Sequence, residues 1–519
     1  MKRQSDVASL EQPLLASLGP STSAVYMRDR GSIPFDNTYA RLPERFYQRV
    51  EPSKVAAPKL LRLNEELAKH LRLDPHFLKS EAGVALLSGN AIAEGCEPVA
   101  LAYAGHQFGQ FVPQLGDGRA ILLGEVLNEH GNRRDLQLKG SGRTRFSRGG
   151  DGRAAVGPIV REYIVSEAMA ALGIPTTRSL AAVLTGESVM RERVLPGAIL
   201  TRVASSHLRV GTFQYFAARG DIEGLRLLAD YAIRRHYAGA VQAEDPYLEF
   251  LDQVVARVAD LAARWMLIGF IHGVLNTDNT SIAGETIDYG PCAFMDAYHP
   301  DKVFSSIDAY GRYAFANQPD IMKWNMARFA ETLLPLIAGG PEQRLALVSE
   351  RLATYDLRYQ EAYLAGLRRK MGLQRPMAGD LELGADLLKR MAENKADFTA
   401  TFRALSQASA DPARDAHVRQ QFSNQAAYDD WASKWRERLT YEQHGLERVR
   451  TAMHAVNPKY IPRNHRVQAA IAEAESGRFA LLEELSAVLA KPYDEQPEFA
   501  HYAQPPLPEE EVQQTFCGT

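Results

Sequence analysis

Hydrophobic periodicity changes once along this chain, and that change limits the architectures open to it. From about residue 97 to 139, short apolar runs (PVALAYAG, AILLGEVL, DLQLK) alternate with Gly/Asn turns, as strands do. The stretch AILLGEVLNEHGNRRDLQLK reads as two strands joined by a turn at His130-Gly131-Asn132. A loop dense in glycine and arginine follows over 140–157, and then a helix begins near Pro158 and is stopped by Gly173 and Pro175. Beyond about 215 helical spacing takes over: Val254, Val258, Leu261 and Trp265 recur on one face. Further helices are expected at about 320–337, 341–371, 380–408, 427–453 and 464–490, with Trp324, Trp431 and Trp435 as core residues. Strands first and helices after make an α+β chain with its sheet on the N-terminal side.

The 519 residues suffice for two or three ordinary domains, or one large domain with extensions. A net charge of −3 and a pI near 6.5 argue against a general nucleic-acid or anionic-membrane binder. No apolar run reaches the roughly 18–20 residues of a membrane span. The first residues carry basic groups, but Glu11, Gln12 and Pro13 break their apolar part, so no secretory signal is expected and a cytoplasmic location is. The three cysteines, Cys96, Cys292 and Cys517, exclude a disulfide framework, and none is spaced for zinc.

Four local features carry chemistry. Gly116-Asp117-Gly118-Arg119 lies between strand-like runs, where alternate glycines let backbone approach a phosphate; the same tetrapeptide also suits a hairpin turn. Between Arg133 and Arg161 eight basic residues face two acidic ones, with six glycines among them. That combination favours an oligophosphate over nucleic acid, since Phe146 is the one aromatic available for stacking against bases. Lys139 ends a strand, and Glu162 follows 23 residues later on the next helix. A helix glutamate holding a strand lysine is how kinases orient a phosphate-binding ammonium, although such pairs are ordinarily just solvated. Last, HGVLNTDN (272–279) follows a long helix and precedes Asp288-Tyr289-Gly290 by nine residues. Asn279 and Asp288 suit a divalent metal, and Asp278 can supply a carboxylate near a nucleophile. In kinase-like loops the third residue of this motif is the catalytic base; here it is Val274, which cannot take a proton, so the chain looks like a pseudokinase.

These motifs, together with FDNTYARLPERFY, LAYAGHQFGQFVPQLGDGRA, ILTRVASSHLRVGTFQYFA and NPKYIPRNH, closely resemble the selenoprotein O family, the SelO or YdiU-type protein adenylyltransferases. The resemblance covers nearly all of the chain beyond about residue 30. It implies a protein-kinase-like (pseudokinase) two-lobed fold with a largely helical C-terminal extension. The expected division is an N-terminal extension at 1–35, an N-lobe-like region at 36–190, a C-lobe-like region at 191–375, a helical region at 376–490 and a tail at 491–519. The resemblance further implies ATP bound in a flipped orientation, with AMP passed to Ser, Thr or Tyr hydroxyls of protein substrates. Gly116, Gly118, Arg119, Asp151, Gly152, Arg202 and Arg209 would then bind nucleotide, with Lys139 on its phosphates and Glu162 positioning Lys139. Asp278 would accept the proton, while Asn279 and Asp288 would hold Mg2+ or Mn2+. Cys292 and Cys517 would pair as a redox disulfide linking tail to site. A monomer without nucleic-acid or membrane partners is expected. An ordinary kinase-fold phosphotransferase, a manganese-dependent UMP transferase and a non-catalytic nucleotide-binding pseudokinase are the alternatives.

Overall fold

A computed structural model describes residues 32–443 and 445–516. The N-terminal strands are β1 (Tyr47–Arg49), β2 (Lys59–Leu63), β3 (Val99–Leu101), β4 (Gly105–Gln107), β5 (Gln110–Val112), β6 (Ala120–Leu127), β7 (Arg133–Lys139), β8 (Arg178–Met190) and β9 (Val194–Ala204). Seven of them form one antiparallel sheet in the order β1-β3-β6-β7-β9-β8-β2. The remaining two pair as a separate hairpin, β4–β5. The expected β6–β7 turn is present, and Asn128 closes it by accepting from the backbone N–H of His130 and Asn132. The β8–β9 hairpin was not legible as strands in the sequence, and it extends the sheet to Ala204, so the expected division at 190/191 falls in its turn.

Helices α1 (Glu65–His70), α2 (Pro75–Lys79) and α3 (Glu81–Leu87) contribute to an apolar cluster that includes Val126, Leu136, Leu180 and Val203 of the sheet. Helix α4 (Val156–Ala171) carries Glu162 and ends as expected, with Gly173 in the left-handed region at φ 77°. Next come α5 (Val210–Ala217), α6 (Ile222–His236) and α7 (Pro246–Ile268). Asp245 caps α7 by accepting from the N–H of Tyr247 and Leu248, Pro246 opens it and Gly269 closes it. All four residues of its predicted apolar face are buried. Beyond the two-stranded β10 (Phe270–Ile271) and β11 (Ala293–Phe294) pair the chain is helical: α8 (Gln318–Leu333), α9 (Pro341–Lys370), α10 (Asp380–Glu393), α11 (Phe398–Ala408), α12 (Asp415–Arg419), α13 (Gln425–Leu439), α14 (Leu446–His454), α15 (Asn464–Glu475) and α16 (Ala480–Leu489).

Three helices expected as single pieces are each broken in two. Asp397 starts α11 by capping the N–H of Ala400, Gly445 precedes α14, and Gly477 takes φ 77° between α15 and α16. The breaks let the C-terminal region serve two cores. Helices α10–α14 pack with Met266, Ile271 and Phe304, whereas α15 and α16 return to cover α4. Among the described residues no helix is long and apolar enough to cross a membrane.

Lys370, at the end of α9, is buried over the rings of Phe398 and Phe402, at 5.4 and 4.3 Å from their centroids. Burial pushes its ammonium down to about 7. A folded pKa below the unfolded value means the cost is full below pH 7 and fades as pH climbs toward the ordinary lysine value of 10.5. Lys370→Met should therefore stabilise the fold at neutral pH by on the order of 2 kcal/mol, with the gain shrinking toward pH 10 in denaturation series.

Candidate functional site

A cavity of about 660 Å3 opens between the sheet and the β10–β11 region. One wall is the strand end at Lys139 with Gly116–Ala120, a second is the Gly/Arg loop, and the third carries Val274, Asn276, Asp278, Asn279 and Asp288. Of the residues singled out from sequence, Gly116, Gly118, Arg119, Lys139, Asp151, Gly152, Arg202, Arg209, Asp278, Asn279 and Asp288 line it together. Glu162 lies just behind, fully buried.

A chain of alternating charges crosses the back of this cavity. Glu162 on α4 takes Lys139 on one carboxylate oxygen and Arg202 of β9 on both. Arg202 Nη2 also lies 2.7 Å from Asp288 Oδ1, and Arg209 Nη2 is 3.1 Å from Asp288 Oδ2. Burial works against every one of these charges, yet the carboxylates stay ionised: Arg202 and Lys139 outweigh it for Glu162, and Arg209, Arg202 and Lys139 hold Asp288 far below the usual range. Burial also lowers Lys139, with Glu162 pulling the other way. Asp288 itself sits at φ 61°, a left-handed conformation that a non-glycine residue rarely adopts, and it turns the carboxylate into the cavity beside the two arginines.

The loop before it is anchored differently. Asn279 donates through Nδ2 to the carbonyl of Val274 at 3.0 Å, which leaves its amide oxygen available. Burial pushes the Asp278 carboxyl up to about 6, against hydrogen bonding from Gln107 and the pull of Arg209. Its Oδ1 is buried without a hydrogen-bond partner, a costly state for a carboxylate unless something else meets it.

The basic stretch divides. Lys139, Arg143, Arg148 and Arg153 line the cavity, whereas Arg133 pairs with Asp36 and Glu125 at the far end of β7 and Arg145 lies over the Phe146 ring. Asp151 binds Arg191 at 2.8 Å, and Arg191, unremarked in the sequence, also lines the cavity. The glycines of Gly116-Asp117-Gly118 serve a closer purpose than phosphate approach alone. A Cβ on Gly116 would lie 2.4 Å from the Phe146 ring, so the Gly/Arg loop can fold over this segment only because none is there. Sequence reasoning also missed Gln107, Phe108 and Asn276; Gln107 and Phe108 lie within the quoted GHQF motif, and nothing in the sequence marks them as cavity residues.

Cys292 is a buried free thiol, pushed up to about 12 by burial. Cys517 lies outside the described residues. The chain just before it is held close by: Thr515 donates its hydroxyl to the carbonyl of Pro291 at 2.6 Å and bridges to Ser305.

The family described as protein adenylyltransferase SelO matches residues 30–490. The chain belongs to that family. A protein nucleotidyltransferase YdiU from Nitrobacter hamburgensis is 69% identical over 507 residues, covering 98% of this chain and all of that protein. One from Nitrobacter winogradskyi is 69% identical over 94% of this chain and 96% of its own length, and one from Rhodopseudomonas palustris is 61% identical over 94% and 99%. This SelO-family chain is thus an enzyme, a nucleotidyltransferase. In it, Glu162→Gln should cost about 3 kcal/mol of stability, because Lys139 and Arg202 lose a shared buried counter-charge. Chemical denaturation of the variant and the parent chain measures that difference.

Proposed function

We propose that the chain transfers AMP from ATP to Ser, Thr or Tyr hydroxyls of proteins and releases pyrophosphate. The observation that carries this reading is the convergence on one cavity of a Lys139–Glu162–Arg202–Asp288–Arg209 charge chain and the Asp278 side chain. The arrangement is read as protein-kinase-like, with the sheet and α4 as one lobe reaching to about Ala204, the α5–α9 region as the other, and α10–α16 as the helical extension.

Lys139, Arg202 and Arg209 offer fixed cations to the phosphates, while Arg119 and the basic residues of the Gly/Arg loop surround the rest of the oligophosphate. Arg143 and Arg148 on that wall, with Arg153 and Arg191 paired to Glu187 and Asp151 at its rim, add to the positive charge that holding a triphosphate tail requires, which favours the flipped orientation. Asn279 and Asp288 present hard amide and carboxylate oxygens, the donor set that suits Mg2+ or Mn2+. A divalent ion there would neutralise developing phosphate charge. Val274 occupies the usual position of a kinase base, so the proton of the attacking hydroxyl goes to Asp278. The hydroxyl oxygen bonds to the α-phosphorus as the bond from that phosphorus to the bridging oxygen breaks, and pyrophosphate departs.

With ATP labelled at the α or γ position, magnesium or manganese, and casein as acceptor, label should reach protein from the α position. Label arriving only from γ would overturn AMP transfer in favour of phosphoryl transfer, and label moving from α-labelled UTP in preference to ATP would favour UMP. Asp278→Asn should lower transfer at least 100-fold while nucleotide affinity holds.

We further propose that Cys292 pairs with Cys517 under oxidation. The docked Thr515 supports this by holding the tail beside Pro291; with oxidised glutathione as the oxidant, one cysteine displaces a glutathione thiolate to form a mixed disulfide, and the other displaces the second glutathione thiolate as the Cys292–Cys517 bond forms. After treatment with oxidised glutathione, peptide mass spectrometry should find a Cys292–Cys517 crosslink that dithiothreitol removes; its absence would refute the pairing.

A further inference from the structure

The β4–β5 hairpin covers the loop that carries Asp278 and grips it at three successive residues. His106 donates its backbone N–H to Thr277 Oγ1 at 2.7 Å. Gln107 donates through Nε2 to Asp278 Oδ2 at 3.2 Å. Phe108 donates its N–H to Asn276 Oδ1 at 3.0 Å and to the Tyr313 hydroxyl at 3.1 Å. Around these contacts Thr277 donates to Gln214 Oε1 at 2.6 Å, and the Gln214 amide reaches the His106 ring at 2.8 Å, so both ends of the grip are tied to α5.

Two further features show how tightly the hairpin is set against the carboxylate. A Cβ on Gly105 would lie 2.6 Å from Asp278 Oδ1, so only glycine lets the strand come this close. At the turn, Phe108 sits at φ 52°, a conformation that a phenylalanine keeps only when its surroundings fix it. Its N–H bonds and a 5.1 Å ring contact with Tyr313 do so. The outcome is an asymmetric carboxylate, with Oδ2 bonded to Gln107 and Oδ1 left without a partner.

We propose that Gln107 is a positioning residue for Asp278: its amide holds Oδ2 and thereby fixes the rotamer of the carboxylate at the edge of the cavity. This rests on the reading of Asp278 as proton acceptor. Gln107 touches neither the phosphates nor the proton in flight. It removes the freedom of a carboxylate that would otherwise rotate away between turnovers, and such outer supports commonly carry a tenfold or greater share of the rate.

The test measures label transfer from α-labelled ATP to casein for Gln107→Met, a neutral side chain of similar size that cannot donate, and for Gln107→Leu. ATP affinity and melting temperature are measured alongside. Both variants should lose at least tenfold in kcat, with KM for ATP within twofold and melting temperature unchanged. A hairpin that merely stiffened the fold would instead tolerate the methionine of similar size, or lose affinity and stability together with rate. Wild-type kcat in Gln107→Met, or a loss confined to KM and stability, would overturn the positioning role. Asp278→Asn, run in parallel, separates the two failures. If it stays active, the proton-acceptor reading falls and this inference with it; if it is inactive while both Gln107 variants are active, only the inference falls.

Discussion

Two buried arginines joining two carboxylates hold this molecule's site together. Arg202 spans Glu162 of α4 and Asp288 of the loop before β11, and Arg209 meets the same Asp288 from the start of α5. Charges this deep are tolerated only when paired and hydrogen-bonded, so the sheet, α4 and the Asp288 loop cannot move apart without exposing one of them. Lys139 completes the chain at the end of β7. The same constraint gives the cavity fixed positive charge without the reorganisation that flexible surface lysines would need.

Around that core, aperiodic segments do the fine placement. The Gly/Arg loop folds over Gly116 and Gly118, the β4–β5 hairpin clasps Asn276–Asp278, and residues up to Thr515 return to Pro291. These attachments combine backbone groups and glycines with a few side chains, the Phe146 ring against Gly116 and Gln107 and Phe108 of the hairpin, and together they give the loops a defined shape. The C-terminal helices add a second layer of support. Arg463, nearly inaccessible, bonds to Asp296 and Asp397 and ties the start of α15 to the chain just after β11 and to the cap of α11.

Much of the candidate site was legible because its residues sit at punctuation points. Lys139 closes a strand, Glu162 lies early in a helix opened near Pro158, and HGVLNTDN follows the long α7. The sheet was only half legible. The β8 strand, whose buried and exposed residues do not alternate cleanly, belongs in the sheet because β9 and β2 pair with it on either side. The breaks within the C-terminal helical runs were missed because Asp397 and Gly445 act as starts only once neighbouring helices have somewhere to pack.

The sequence alone determined the α+β character, the order of the elements that carry Lys139, Glu162 and the HGVLNTDN loop, and the identity of the charged groups, because periodicity and residue chemistry are local properties. It also determined that Val274 cannot act as a base. Tertiary structure decided which of those charges meet. Arg202 and Arg209 read as ordinary arginines until the β7–β9 pairing and the turn into α5 bring them to Asp288. It likewise divided the basic stretch between the cavity and the far end of β7, and it set Gln107 against Asp278 across 171 residues of chain. Such contacts follow from chain reversals and packing, which no local pattern encodes.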